Sequence, residues 1–385
     1  MIPPMFEDLG VFQRIGEATD IVSKEMYDFE DKGGRRVALR PEQTAGVCRA
    51  YAQHRPTPPW KVWYSGPNFR YEKPQAGRYR QFDQVGIEAL GVDDPLLDVE
   101  VIALGWRFFH GLGLRGVELR VNSLGDPGDR ARYVEVLRVY LESRSGELSA
   151  ESLATLARNP LRVLDSKRPE DAPVVAGAPL LSDHLSDAAR EHFDAVLEGL
   201  RRIGVPYVTD PWLVRGLDYY VRTTFEFTSS TLDASQNAIG GGGRYDGLVE
   251  NLGGPPTPGV GLALGVDRSL LACDSEGCFA ADEGTTDVFV VDTVGGFHAL
   301  DITDSLRQRG IPSDRAFEDR SMKAQMKAAA RSGAVFAVII GETEVRDSTC
   351  TVRNLVSSEQ ESVPRSALID HLDEALSSRP RRSEP

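Results

Sequence analysis

Apolar and polar positions alternate with a period of two in three short stretches near the start of the chain, at 36–40 (Arg-Val-Ala-Leu-Arg), 61–65 (Lys-Val-Trp-Tyr-Ser) and 116–121 (Gly-Val-Glu-Leu-Arg-Val). That period puts alternate side chains on one face, so each stretch predicts a half-buried strand. Val99, Ile102, Ala103 and Trp106 instead recur at three- and four-residue steps and predict a helix over 98–109. From about 125 to 206 the helical period takes over, with Leu137, Val139, Leu141, Leu153, Leu156, Phe193, Val196, Leu197 and Leu200 set among charged residues. This pattern predicts a separate helical insertion. Strand alternation returns at 220–227 (Tyr-Val-Arg-Thr-Thr-Phe-Glu-Phe), followed by a glycine-dense stretch and a strand-to-helix passage at 259–271. Strands on both sides of a helical interruption predict an α+β domain with an antiparallel sheet.

Residues 273–286 are small and acidic and predict a linker. Beyond it, the apolar runs at 287–292 and 334–341 predict buried strands, with a helix at 297–309 and another carrying Met322, Met326 and Ala330. Strand, helix and strand in that order predict a small α/β domain with parallel strands. The expected plan is one domain in two parts, 1–124 and 207–272, around an insertion at 125–206. A linker at 273–286, a second domain at 287–375 and a disordered polar tail at 376–385 follow.

A length of 385 residues agrees with two or three domains. With 41% hydrophobic and 26% charged residues, a disordered or fibrous chain is excluded. No apolar run approaches the roughly 20 residues of a membrane span, and the first residues lack a signal-peptide pattern, so a cytoplasmic location is expected. A net charge of −14 argues against coating nucleic acid by bulk electrostatics and leaves room only for a local basic site. Cys48, Cys273, Cys278 and Cys350 form no second close pair and read as structural thiols. The histidines at 54, 110, 184, 192, 298 and 371 lie far apart, so no metal ligands are assigned, and there is no Gly-x-Ser-x-Gly elbow.

Four stretches carry candidate chemistry. In 66–88, Arg70 and Glu72 precede a Pro74/Gly77 turn, and Arg78, Arg80, Gln84 and Glu88 follow at even spacing. If the flanks pair as a hairpin, Gln84 and Glu88 share one face, offering carboxylate to an amine or imidazole while guanidinium meets phosphate. An exposed hairpin laced with salt bridges is the equal alternative. In 213–227, Arg215 precedes Tyr219 and Tyr220, of which only one would line a pocket if the segment is extended. Residues 240–246 (Gly-Gly-Gly-Gly-Arg-Tyr-Asp) fit neither a P-loop nor a dinucleotide fingerprint, and such a run is more often a flexible loop than a site. Arg268, at the head of an apolar helix, could meet phosphates, and Glu42 and Thr44 lie in a loop before a possible helix cap.

Taken in order, these stretches resemble the histidyl-tRNA synthetases, a family of class II aminoacyl-tRNA synthetases. Residues 40–45 (Arg-Pro-Glu-Gln-Thr-Ala) resemble the substrate loop, and Phe69-Arg-Tyr-Glu72 through Glu88 resembles motif 2. Residues 213–220 and 240–246 resemble the two histidine signatures, 259–268 resembles motif 3, and 159–167 matches the insertion. The resemblance covers nearly the whole chain. It implies activation of L-histidine by ATP with Mg2+, then transfer of the histidyl group to the 3′ end of histidine tRNA, on a class II catalytic domain. Arg70, Arg215 and Arg268 are the implied catalytic residues. Arg70 and Arg215 would hold the α-phosphate, Arg268 the distal phosphates and Glu72 the adenine side, so these four bind ATP. Glu42, Thr44 and Gln84 would bind the amino end of histidine, and Glu88 and Tyr220 its imidazole, with Tyr219 close by.

The C-terminal domain resembles the anticodon-binding domain of the same group. Arg307, Arg309, Arg315, Arg320, Lys323, Lys327 and Arg331 outnumber Asp314, Glu318 and Asp319 there, which suits RNA, although a solvated helix face would look the same. Asp267 stands where a glutamate usually precedes the motif 3 arginine. The family also carries a helix and strand ahead of the residues seen here, and only the end of motif 1, around Pro4 and Glu7, has a counterpart. A homodimer is implied for the complete protein. The alternative reading is a non-catalytic synthetase paralogue that regulates histidine biosynthesis. Prolyl and threonyl relatives share the anticodon module but lack Arg-Gly-Leu-Asp-Tyr-Tyr.

Overall fold

The alternation at 61–65 is the middle of a strand that runs for ten residues. The computed structural model describes residues 1–14, 21–164, 166, 168–213, 219–233, 236–279, 286–318 and 320–378. They divide into two units, Met1–Cys278 and Phe279–Pro385. In the first, β1 (Phe6–Asp8), β2 (Asp28–Glu30) and β3 (Arg36–Leu39) form a small antiparallel sheet in the order β1-β3-β2.

The main sheet is built from β4 (Trp60–Phe69), β5 (Gln81–Leu90), β6 (Val117–Ser123), β7 (Val208–Thr209), β8 (Val221–Ser229), β9 (Ala238–Arg244) and β10 (Gly259–Gly265). Its order is β4-β5-β10-β9-β8-β6-β7, antiparallel throughout except for the β6/β7 pair. The back face carries Ile87, Leu262, Leu264, Phe225 and Phe227, packed on the helix Pro95–Gly111. That helix starts where Asp94 accepts the Leu96 amide at 2.8 Å and Pro95 fills the first turn. A Cβ on Gly105 would lie 2.8 Å from both Leu262 and Phe227, so the missing side chain lets helix and sheet meet.

The glycine run at 240–243 is not a flexible loop. It is β9, in the middle of the sheet between β8 and β10. A Cβ on Gly242 would lie 1.9 Å from the Gly261 carbonyl oxygen, and one on Gly243 2.6 Å from that of Thr223. Here glycine serves close strand approach, a use that side-chain periodicity cannot reveal.

The insertion forms the helices Pro127–Ser143, Ala150–Leu156, Ala172–Ala176 and Asp187–Arg202. Tyr133, Leu137 and Leu141 make the buried stripe of the first, at steps of four, which leaves Val139 on the outside; Leu153 is exposed too. The last helix does not stand apart, since Val196 and Leu200 share the core behind the sheet. A buried charge cluster ties it there: Arg244 donates to Asp98, to Asp246 at 3.1 Å and to the Asp94 carbonyl, while His192 meets Asp98 at 2.9 Å. Arg244 and Asp98 have no solvent exposure at all. At the far end of the unit the helix Val266–Glu276 extends into the stretch read as linker. Gly277, with φ of +65°, and the Cys278 amide bonded to the Cys273 carbonyl at 2.9 Å then close it.

The second unit holds β11 (Val288–Asp292), β12 (Ser313–Arg315), β13 (Phe336–Ile340), β14 (Thr349–Asn354) and β15 (Gln360–Pro364) in the order β12-β11-β13-β14-β15. The first three strands in that order are parallel, as the pattern predicts; β14 and β15 add an antiparallel edge that it did not. Val288 and Val290 face the helices Phe297–Gln308 and Leu368–Ser377, whereas Phe289 and Val291 face Met322–Arg331. The helix ending at Ser377 occupies the start of the expected tail, and 379–385 lie outside the described residues.

Replacing Asp98 by Ala leaves the Arg244 charge buried without its main partner, so the N-terminal unit should lose about 3–5 kcal/mol of stability. All four tryptophans lie in that unit, so urea unfolding followed by tryptophan fluorescence reads it directly. A loss under about 1 kcal/mol would place the pair among ordinary surface ion pairs.

Candidate active site

The front face of the main sheet is nearly bare. Gly86 on β5, Gly261, Ala263 and Gly265 on β10 and Gly241 on β9 share it, as the register dictates. Above this floor is a cavity of about 430 Å³ into which Tyr64, Gln84, Glu88 and Glu226 project.

One end is built around Glu88. It is fully buried, and three hydroxyls donate to it: Thr44 to Oε1 at 2.7 Å, Tyr64 to Oε1 at 3.1 Å, and Tyr245 to Oε2. Burial pushes its carboxyl from 4.5 up to about 8, against the opposing pull of those donors. Glu42 is buried alongside and accepts the amides of Thr44 at 2.6 Å and Ala45 at 3.0 Å, capping the helix Thr44–His54. Burial raises its pKa as well. Gln84 accepts an amide hydrogen of buried Asn68 at 2.7 Å. Tyr219 and Tyr220 both line the cavity, with ring centroids 4.7 Å apart. The expectation that only one would do so fails because both precede β8 and escape strand alternation.

The other end is cationic. Arg70 donates to the Pro41 carbonyl at 2.9 Å and lies over the Phe82 ring. Arg268 donates to the Gly77 and Ala238 carbonyls at 2.8 and 2.9 Å. Arg78 is 2.6 Å from Glu72. Burial lowers the pKa of Arg70 and of Arg268, and Arg78 and Arg70 push Arg268 further down. Like charges crowded in this way are poised to receive an anion. Asp267 lines the same cavity beside Arg268.

The structure thus brings Glu42, Thr44, Arg70, Glu72, Gln84, Glu88, Tyr219, Tyr220 and Arg268 to one cavity. Arg215 falls within 214–218, outside the described residues. Tyr64, Tyr245 and Glu226 also line it and were not singled out in the sequence. Tyr245 had a signal, since it lies two residues past the glycine run within 240–246; Tyr64 and Glu226 are ordinary strand residues until the register is known.

A bare antiparallel sheet with arginines from the β4–β5 turn and from the helix after β10 defines a class II aminoacyl-tRNA synthetase catalytic domain. The family pattern described as histidyl-tRNA synthetase matches residues 1–268, and one described as anticodon binding domain matches 288–375. The chain belongs to the histidyl-tRNA synthetase family. It is 50% identical over 379 residues to a histidine–tRNA ligase of Rhodococcus erythropolis, covering 97% of this chain and 89% of that one. It is also 50% identical over 372 residues to a histidine–tRNA ligase of Mycobacterium bovis, covering 95% and 87%. Apo histidyl-tRNA synthetase of S. aureus superposes with a TM-score of 0.75 at 35% identity, covering 96% of this chain and 90% of that one.

The Glu88 carboxyl carries a sign that can be checked. Between pH 4.5 and about 8 the folded protein keeps a proton that the unfolded chain releases, so this group's contribution to stability is lost as pH rises to about 8. Glu88→Gln has no such loss. Its melting temperature relative to wild type should climb across that window and level off above it; a difference independent of pH would mean that the buried carboxyl titrates normally.

Proposed function

We propose that this chain is a histidine–tRNA ligase, which joins L-histidine to ATP as histidyl-adenylate and then transfers the histidyl group to the 3′ end of histidine tRNA. The observation that carries the reading is the polarity of the cavity, with the buried carboxyl groups of Glu42 and Glu88 among hydroxyls at one end and arginines at the other. An imidazole presents two ring nitrogens, and the carboxyl group of Glu88 with the neighbouring phenols suits them as hydrogen-bond partners. Glu42 supplies negative charge for the amino group, with Thr44 and Gln84 beside it.

The substrate carboxylate then points toward the arginines. Attack on the α-phosphate is an in-line displacement governed by placement and charge, and Arg70 and Arg215 are assigned to that phosphate, Arg268 to the distal ones, and Glu72 to the adenine side. Magnesium typically keeps several waters and takes one or two carboxylates together with substrate phosphates. Glu226 on the cavity floor fits that need, and no group of three or more metal-ligating side chains is found among the described residues. The ion would spread the charge of the leaving pyrophosphate.

Transfer-RNA contact is assigned to the second unit, at the carboxyl ends of its parallel strands, where open α/β sheets bind ligands. Phe297 and Phe317 are exposed there, with the Arg315 guanidinium 4.5 Å over the Phe317 ring, a surface on which unstacked bases can stack. Arg307, Arg309 and Arg320 are instead tied to Asp314, Asp370, Asp373 and Glu318. A homodimer is supported by the exposed Met1, Ile2, Met5, Phe6, Phe29 and Trp63 of the N-terminal unit. No described helix is long and apolar enough to cross a membrane, and we assign the protein to the cytoplasm. The regulatory-paralogue alternative is set aside, because the likeness to histidine–tRNA ligases runs over nearly the whole chain.

Pyrophosphate exchange assayed across the amino acids should respond to histidine alone, and a response to another amino acid instead would refute the reading. Glu88→Ala should raise the KM for histidine by about 10–100-fold, the cost of leaving a buried donor unpaired. Deleting 287–385 should depress tRNA charging far more than exchange, and an equal fall in both would count against the anticodon role.

A further inference from the structure

Glu88 and Gly261 stand directly opposite each other across the β5–β10 pair. Residues so placed normally carry two side chains rising side by side. Here there is one, and it leans across. A Cβ on Gly261 would lie 1.7 Å from Glu88 Oε2 and 2.6 Å from its carboxyl carbon. Oε2 is the oxygen that accepts the Tyr245 hydroxyl, so the lean and the hydrogen bond are one posture.

The same device recurs around it. A Cβ on Gly86 would lie 2.1 Å from Tyr64 Cζ, and one on Gly259 2.5 Å from Tyr245 Cε2. Glu88 and two of its three donors therefore each lie flat over a glycine. Backbone conformation does not explain Gly261, because its φ is not in the left-handed region. Nor does close strand approach, as it does at Gly242, where the atom in the way is a carbonyl oxygen. At Gly261 the two nearest atoms belong to a side chain, and the nearest backbone atom, the Ile87 carbonyl oxygen, is 3.0 Å away.

We propose that Gly261 is a specificity-positioning residue, whose missing side chain lets the Glu88 carboxylate lie over β10 and so fixes where the acceptor for the substrate's ring is held. The inference rests on the assignment of Glu88 to the imidazole. A methyl group at position 261 would lift the carboxylate away from Tyr245 and toward the space the ring should occupy. Histidine binding suffers, while the arginine end, built on other residues, keeps its ATP.

The test is a double-mutant cycle of wild type, Gly261→Ala, Glu88→Asp and the double variant, read by pyrophosphate exchange and melting temperature. Gly261→Ala should raise the KM for histidine about tenfold while the KM for ATP changes less than about twofold. Glu88→Asp alone should also raise the histidine KM, because the shorter chain draws the carboxylate off its hydroxyls. In the Gly261→Ala background the same change should lower it, since the shorter chain clears the methyl group. The same factor of harm from Glu88→Asp in both backgrounds would overturn the proposal. If Gly261→Ala does not fold, recovery of a folded double variant supports it, and failure of both overturns it. Absence of histidine-dependent exchange in the wild type would instead bring down the functional reading, and the melting-temperature cycle would still decide the placement of the carboxylate.

Discussion

A carboxyl group buried on an open sheet face must be held by hydrogen-bond partners, because leaving one unpaired in the interior costs more than most single interactions return. Glu88 imposes that requirement on this fold. Its three hydroxyls come from places far apart in the chain: Thr44 from a helix start, Tyr64 from β4 and Tyr245 from the end of β9. Each can reach it only if the strands keep their register and the floor stays bare. The sheet's lack of side chains on that face is therefore a condition for the buried carboxyl group, and that group with its hydroxyls gives the cavity its hydrogen-bonding end.

A second buried group holds the first in place. Arg244 adjoins Tyr245 and is anchored from behind the sheet by Asp98, which also meets His192 of the insertion's last helix. Asp246, on the other side of Tyr245, accepts from Arg244 and from the Gly259 amide. The side chains on both sides of the tyrosine are thus held by charge-assisted hydrogen bonds, and its hydroxyl donates to Glu88. The insertion contributes to the site in this indirect way, through a histidine that no spacing rule would have linked to it.

Where side chains carry a period, the sequence was legible. Strands at 36–40, 61–65 and 116–121 and the helix near 98–109 appear within a few residues of their expected places, and the even spacing of Gln84 and Glu88 does put both on the cavity face. Where function requires side chains to be missing, the period vanishes and β9 reads as a loop. Val139 was misplaced for a different reason, since an apolar residue two steps from the Leu137–Leu141 stripe turns to the opposite side of its helix. Tyr64 carries no local mark at all. Its importance comes from facing Gly86 across β4 and β5, a relation that only register creates.

The segregation of charge within the cavity explains how a chain of net charge −14 can serve a polyanionic substrate. Overall charge acts at long range and is screened within about 10 Å in ordinary salt. At the site, burial and the nearby charges of Arg78 and Arg70 disfavour the Arg268 cation, and an anionic ligand would relieve that strain. At the far end burial raises the pKa of Glu42 and of Glu88, so a cationic or hydrogen-bonding partner there is favoured. A ligand with a cationic or hydrogen-donating head and an anionic tail relieves both at once when it lies one way round. Reversed, it relieves neither and sets its cationic head against the arginines. Orientation along the cavity is therefore set before any reacting atoms meet, and the carboxylate of such a ligand arrives already directed at the phosphates.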